Sequence, residues 1–145
     1  SDVIIGYPGE SYEDFKETID LMNKVKFINS FSYIFSARPG TPAFDLHKTD
    51  PKEAKTRLIE FQSSAEKIKS IYRGKLINKI INVLFENKVK NENMYFGRDQ
   101  YFNSIIVKSS ENLIGKIKAI KITKGNQNTL LGEIITKLDE TNYAA

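Results

Sequence analysis

The sequence of 145 residues contains no cysteine. That absence excludes a disulfide framework and any thiolate metal site within the chain, and it leaves the redox compartment unmarked. No apolar run approaches the roughly 20 residues that cross a bilayer as a helix. The chain opens on SDVIIG rather than on a basic segment followed by an apolar core, so a cytoplasmic chain without anchor or signal peptide is expected. Methionine is missing from the first position, and Val3, Ile4 and Ile5 run apolar without interruption, as in a buried parallel strand. A piece of a longer protein is therefore expected. Internal repeats and low-complexity segments are also absent.

What is present reads as globular, with 40% hydrophobic and 11% aromatic residues, enough for one ordinary domain or two small ones. The net charge of +4 favours an acidic partner only weakly, and its distribution says more. Asp2, Glu10, Glu13, Asp14, Glu17 and Asp20 make the start acidic. Lys48, Lys52, Lys55, Arg57, Lys67, Lys69, Arg73, Lys75 and Lys79 make the middle basic. One face meeting a phosphate backbone and an ordinary solvated lysine-rich helix both fit that pattern.

The stretch FSYIFSARPGTPA, Phe31 to Ala43, organises the rest. Phe31, Tyr33 and Phe35 alternate with Ser32, Ile34 and Ser36, which predicts a buried strand. Pro39 and Pro42 lack amide donors and Gly40 suits a turn, so Arg38 falls where a strand stops and the chain bends. Strand C-termini are where α/β proteins meet ligands, although a solvated loop arginine fits the position too.

Upstream, DVIIGYPGES predicts a strand at Val3–Ile5, a turn through Gly6, Pro8 and Gly9, and a helix capped by Ser11 with Asp14. Phe15, Ile19, Met22 and Val25 recur at helical spacing. Strand, helix and the Phe31–Phe35 strand make a βαβ unit with parallel strands. The glycine turn either brings backbone amides close to a ligand or is merely tight. Asp50-Pro51 with Glu53 starts a second helix. Its apolar seam is Ala54, Leu58, Phe61, Ala65, Ile68, Tyr72 and Leu76, about seven turns that end near Asn78.

Beyond Asn78 the period changes. Strands are predicted at Ile80–Phe85, Ser104–Val107, Leu113–Ile122 and Leu130–Ile135, punctuated by residues such as Asn91, Gly97, Gly115 and Gly125. Short alternating strands over about 60 residues indicate a small closed barrel. Lys116 and Lys118 are expected to project together from its solvated face, and Asp139–Ala145 reads as frayed.

SYIFSARPGTPA resembles the segment that ends the catalytic barrel of radical-SAM methylthiotransferases, and DVIIGYPGES is similar to another barrel strand of that family. The closest resemblance is to the branch acting on isopentenyl-adenosine in tRNA. Gly97-Arg98, Ile114-Gly115 and Leu131-Gly132-Glu133 resemble its terminal TRAM domain. The resemblance implies an α/β region followed by an all-β one. Residues 1–79 would be the end of the TIM-like radical-SAM barrel with its connecting helix, and residues 80–145 a five-stranded TRAM barrel.

It further implies S-adenosylmethionine and two 4Fe–4S clusters in the full-length parent, none held by this fragment alone, which would be inactive. The parent would be monomeric, with no membrane partner, and would bind a tRNA anticodon stem-loop. Cofactor-binding positions carried over are Gly6, Pro8, Gly9, Glu10 and Arg38. RNA-binding positions are Arg98, Lys116 and Lys118, with Tyr101 and Phe102 to stack on a base unless they fill the barrel. No residue is assigned to catalysis or metal binding. The branch acting on threonylcarbamoyl-adenosine and a non-catalytic TRAM-type RNA-binding module are the alternatives.

Overall fold

The computed structural model describes residues 1–89, 93–126 and 128–135. The chain divides into two compact units, Ser1–Tyr72 and Arg73–Ala145. Asn91 and the tail from Asp139 to Ala145 lie outside the described residues.

In the first unit, β1 (Asp2–Ile5), α1 (Tyr12–Val25) and β2 (Phe31–Ile34) make the expected βαβ arrangement. The strands are parallel, with Asp2 opposite Phe31 and Ile5 opposite Ile34. The expected capping box starts α1. Ser11 Oγ accepts from the Asp14 amide at 3.1 Å, and Asp14 accepts from the Ser11 amide at 2.8 Å. The hydrogen bond from the Ser11 hydroxyl, then that from its amide, holds the Asp14 carboxyl below its ordinary value. Phe15, Ile19 and Met22 form one buried cluster with Ile5 and Phe61. Val25, predicted on the same face, is exposed where the helix ends.

The predicted burial of β2 is corrected. Phe31 is 62% and Tyr33 59% exposed. β2 pairs with β1 alone, so the sheet has two strands. Its face carrying Asp2, Ile4, Phe31 and Tyr33 has no covering layer among the described residues of this unit.

The second helix, α2, runs Pro51–Gly74. Asp50 Oδ1 accepts from the amides of Lys52 and Glu53 at 2.9 and 3.1 Å, which satisfies first-turn donors as the sequence predicts. Ala54 and Phe61 are buried, with Leu58, Ala65 and Ile68 packed beside them. The helix stops at Gly74, earlier than the predicted Asn78, and residues 75–78 form a turn. Asn78 does take the left-handed conformation expected of it, φ 65°. It serves the entry to the barrel instead, its amide donating to the Ile122 carbonyl at 2.8 Å.

In the second unit, β3 (Ile80–Lys88), β4 (Met94–Arg98), β5 (Ser104–Lys108), β6 (Ile117–Gly125) and β7 (Leu130–Ile134) close into a barrel of order β3-β4-β5-β7-β6. Val83, Phe85, Ile105, Val107, Leu113, Ile120, Ile122 and Leu130 fill it. The closed barrel matches the sequence prediction, but β4 does not appear among the strands read there. β6 begins at Ile117 rather than Leu113, because Leu113–Lys116 form a turn whose Lys116 amide donates to the Leu113 carbonyl at 2.9 Å. Gly97 has a packing role. A Cβ there would stand 2.5 Å from the Leu84 carbonyl oxygen of the neighbouring strand, so only glycine lets β3 and β4 approach.

Candidate functional site

The turn joining β4 to β5 is built around Asp99. Its Oδ1 accepts from the amides of Tyr101 and Asn103 at 2.8 and 2.9 Å, and its Oδ2 accepts from Asn103 Nδ2 at 2.7 Å. The Phe102 amide donates to the Asp99 carbonyl at 3.1 Å. Asp99 and Asn103 are buried, and they carry the polar work of the turn. Tyr101 and Phe102 are left outside, 56% and 73% exposed. Neither fills the barrel.

Phe102 also has φ 60°, the left-handed region that side chains avoid at a cost of roughly 1–2 kcal/mol. Phe102 thus combines an exposed ring with a left-handed backbone on a turn held by Asp99. Sequence reading singles out Arg98, Tyr101 and Phe102 but misses Asp99 and Asn103. The Asp-x-x-x-Asn spacing around the aromatic pair was the available signal.

Arg98, just before this turn, lies 5.3 Å from the Phe96 ring centroid and 3.4 Å from Glu86. Both members of the ion pair are largely solvated, so screening leaves it weak and the guanidinium available. Lys116 is exposed, but the expectation for Lys118 is corrected. Lys118 stands opposite buried Val83 and shares the face of Ile120 and Ile122, so it is half-buried. Strand alternation is the reason: it is Ile117 that points outward.

Charge separates by unit in a way the linear pattern understated. Residues 1–72 hold ten basic and eleven acidic side chains, whereas residues 73–135 hold eleven basic and five acidic. The barrel carries the positive field.

In the first unit the Gly6–Glu10 turn follows β1. Gly6 has φ 74° and Gly9 φ 89°, and a Cβ at Gly9 would meet nothing within 4 Å. The Glu10 amide donates to the Tyr7 carbonyl at 2.9 Å. Glu10 Oε2 accepts from the Gly6 amide at 2.8 Å and from Arg57 Nη1 at 2.9 Å. Arg57 Nη1 also donates to the Glu10 carbonyl at 2.9 Å, and Nη2 pairs with Glu53.

Burial alone would lower the Arg57 pKa. The hydrogen bonds to Glu10 and Glu53, with their charges, outweigh it and hold the pKa above its ordinary value. Sequence reading groups Arg57 with the basic residues of the middle stretch, on a face that either meets phosphate or is solvated. Its place three residues after Ala54 on the seam was the missed signal.

Arg38 is exposed, and no ion pair of its side chain occurs among the described residues. Its carbonyl accepts from the Thr41 amide and hydroxyl at 3.2 and 2.8 Å. Gly40 at φ 80° after Pro39 is the geometry of a type II turn. Arg38 therefore stands beside a stiff turn of the first unit, as the two prolines predict.

A model of the TRAM domain matches residues 74–135. The chain is 46% identical over 134 residues to the tRNA-2-methylthio-N(6)-dimethylallyladenosine synthase of Pelagibacter ubique, covering 92% of this chain and 30% of that protein. It is 39% identical over 139 residues to the protein of that name from Vesicomyosocius okutanii, covering 95% and 31%. For the Rickettsia felis protein the figures are 35% over 137 residues, covering 93% and 31%. The chain thus spans about 30% of the length of these curated relatives. It carries a TRAM match over residues 74–135 and is similar, along more than nine-tenths of its own length, to part of these tRNA-2-methylthio-N(6)-dimethylallyladenosine synthases.

Proposed function

We propose that this chain is the RNA-gripping C-terminal part of a cytoplasmic, monomeric radical-SAM enzyme. That enzyme would add a methylthio group to N6-isopentenyl-adenosine beside the anticodon of tRNA. In this reading the barrel holds the anticodon stem-loop, and the βαβ unit is the end of the α/β barrel that takes S-adenosylmethionine. The observation that carries it is the exposed Tyr101–Phe102 pair on the Asp99 turn, beside Arg98, on a strongly basic barrel. Aromatic faces stack on unpaired bases and basic side chains meet phosphates, which is how single-stranded loops of RNA are held. The names of these relatives favour the isopentenyl-adenosine branch over the threonylcarbamoyl one.

The cofactor fits unevenly. The Gly6–Glu10 turn, with open space at Gly9 and the exposed Ile4 and Tyr33 nearby on β1 and β2, suits a nucleoside-bearing cofactor. Arg38 would meet a carboxylate or phosphate through two parallel hydrogen bonds. The iron–sulfur clusters do not fit. The chain has no cysteine, and among the described residues no group of three or more metal-binding side chains occurs. Once bound, S-adenosylmethionine and the clusters would supply the radical chemistry that this chain's residues do not. These residues bind and orient.

The test is binding of an anticodon stem-loop by the intact protein across a salt series. Replacing the exposed Lys116 and the half-buried Lys118 by alanine, singly and together, should weaken binding and lower the salt slope by about one unit for each that meets a phosphate, the larger share at Lys116. Replacing Tyr101 and Phe102 should weaken it at all salt concentrations. An unchanged slope would remove the lysines from the interface, and unchanged affinity in every variant would sink the RNA reading. Binding without any methylthiotransferase activity in the cluster-loaded protein would favour the plain RNA-binding module.

A further inference from the structure

We infer that Arg57 is a positioning residue for the cofactor side of the molecule. It fixes the shape of the Gly6–Glu10 turn without meeting the cofactor itself. The inference rests on the reading of that turn as the part facing S-adenosylmethionine.

A guanidinium that is 4% exposed is unusual, because burying a charge is costly unless it is paired and hydrogen-bonded. Arg57 uses its fork in two directions. Nη1 reaches both the carbonyl and the carboxylate of Glu10, at 2.9 Å each, while Nη2 reaches Glu53 on its own helix. The same Glu10 oxygen accepts from the Gly6 amide at 2.8 Å. One carboxylate oxygen thus ties the first residue of the turn to the last, and Arg57 ties both to α2.

The turn is seated at a second point on α2. A Cβ at Gly6 would stand 2.9 Å from the Cβ of Ala54, so the backbone rests directly on the helix. The Phe15 ring, 5.8 Å from the guanidinium, packs beside the pair, and Arg57 Nε is buried without a hydrogen-bond partner.

Stability alone is a poor reason for this arrangement. A buried ion pair generally adds no more than well-packed apolar residues of the same volume. What the pair supplies is a single conformation for five backbone positions. The glycines among them, with φ of 74° and 89°, have the widest choice of others. Lysine cannot replace the fork, since one ammonium does not make the same planar pair of contacts.

The experiment uses the full-length, cluster-loaded protein and compares Arg57→Met, Arg57→Lys, Glu10→Gln, the Glu10→Gln/Arg57→Met pair and Gly9→Ala. Read-outs are the affinities for S-adenosylmethionine and for tRNA, measured separately, and hydrogen exchange over residues 6–10. Arg57→Met should weaken S-adenosylmethionine binding about tenfold, the usual scale for losing a supporting contact. It should also speed exchange of the Gly6 amide and leave tRNA affinity unchanged. Arg57→Lys should recover part of the loss. The double variant should be no worse than Arg57→Met, because one linkage is being cut twice.

If Gly9→Ala weakens S-adenosylmethionine binding while Arg57→Met does not, the positioning role falls and the reading of the turn stands. If Gly9→Ala also has no effect, the reading of the turn falls and takes the inference with it. Equal losses of both affinities, in step with the unfolded fraction, would make Arg57 merely structural. Should Arg57→Met fail to fold, Arg57→Lys decides. Undiminished S-adenosylmethionine affinity in that variant overturns the proposal.

Discussion

The two units solve the same problem, strand edges, in opposite ways. In the barrel every strand has two neighbours, and no described edge is left open. In the βαβ unit each strand has one neighbour, and Ile4, Phe31 and Tyr33 face outward. The electrostatics divide along the same line, with the barrel basic and the first unit nearly balanced. A closed barrel with its own core can fold as a unit, whereas an open two-stranded sheet is a template for further pairing.

A cavity in the barrel core tests the independence of the two units most directly. Phe85→Ala should cost about 3–5 kcal/mol by cavity formation. It should unfold residues 73–135 while the βαβ unit keeps its hydrogen-exchange protection. Loss of protection in both units together would mean that they are not independent.

Phe102→Gly sharpens the contrast between a residue's folding and binding roles. Glycine accepts φ 60° freely, so barrel stability should be unchanged or rise by up to about 1 kcal/mol. RNA affinity should fall by about 1–3 kcal/mol, the scale of one lost stacking contact. Thermal melting and RNA titration of the same variant read both signs. A destabilised barrel with intact RNA affinity would reverse the assignment.

The smallest expected effect is on α1. The folded pKa of Asp14 is depressed below its ordinary 3.8 by the Ser11 hydroxyl, then by the Ser11 amide. Its contribution is therefore complete above the unfolded value and is lost as pH falls through the lower, folded one. Ser11→Ala should flatten that acid-side slope in a pH series of first-unit stability. An identical slope in both proteins would show that Asp14 is not the group responsible.

Much of this was legible in the sequence because it is written in local rules. Ser11 with Asp14 and Asp50 with Pro51 mark helix starts by backbone chemistry, and parallel pairing of β1 with β2 follows from the helix between them. The closed barrel follows from period-two strands between turn residues. The failures are non-local. β4 contains Gly97, which reads as punctuation until Leu84 is known to lie against it. Lys118 was placed outside because alternation gives two faces, and only the partner strand says which is inner. Arg57 looked solvated because its acceptor, Glu10, lies 47 residues away. Burial of β2 depended on neighbours that a strand pattern cannot supply.

The strand order has a consequence in time. β7 is the last strand of the barrel in sequence, yet it lies between β5 and β6, parallel to the first and antiparallel to the second. β3 pairs with β4 and β4 with β5 through short connections. β6 must then return to β3 from across the sequence. Until Leu130–Ile134 has been made, β5 and β6 each keep one edge without a partner, and the core they enclose stays open to water. Barrels joined by such distant contacts fold slowly beside helices, whose contacts are local. A chain cut short before Leu130 should therefore be the aggregation-prone one.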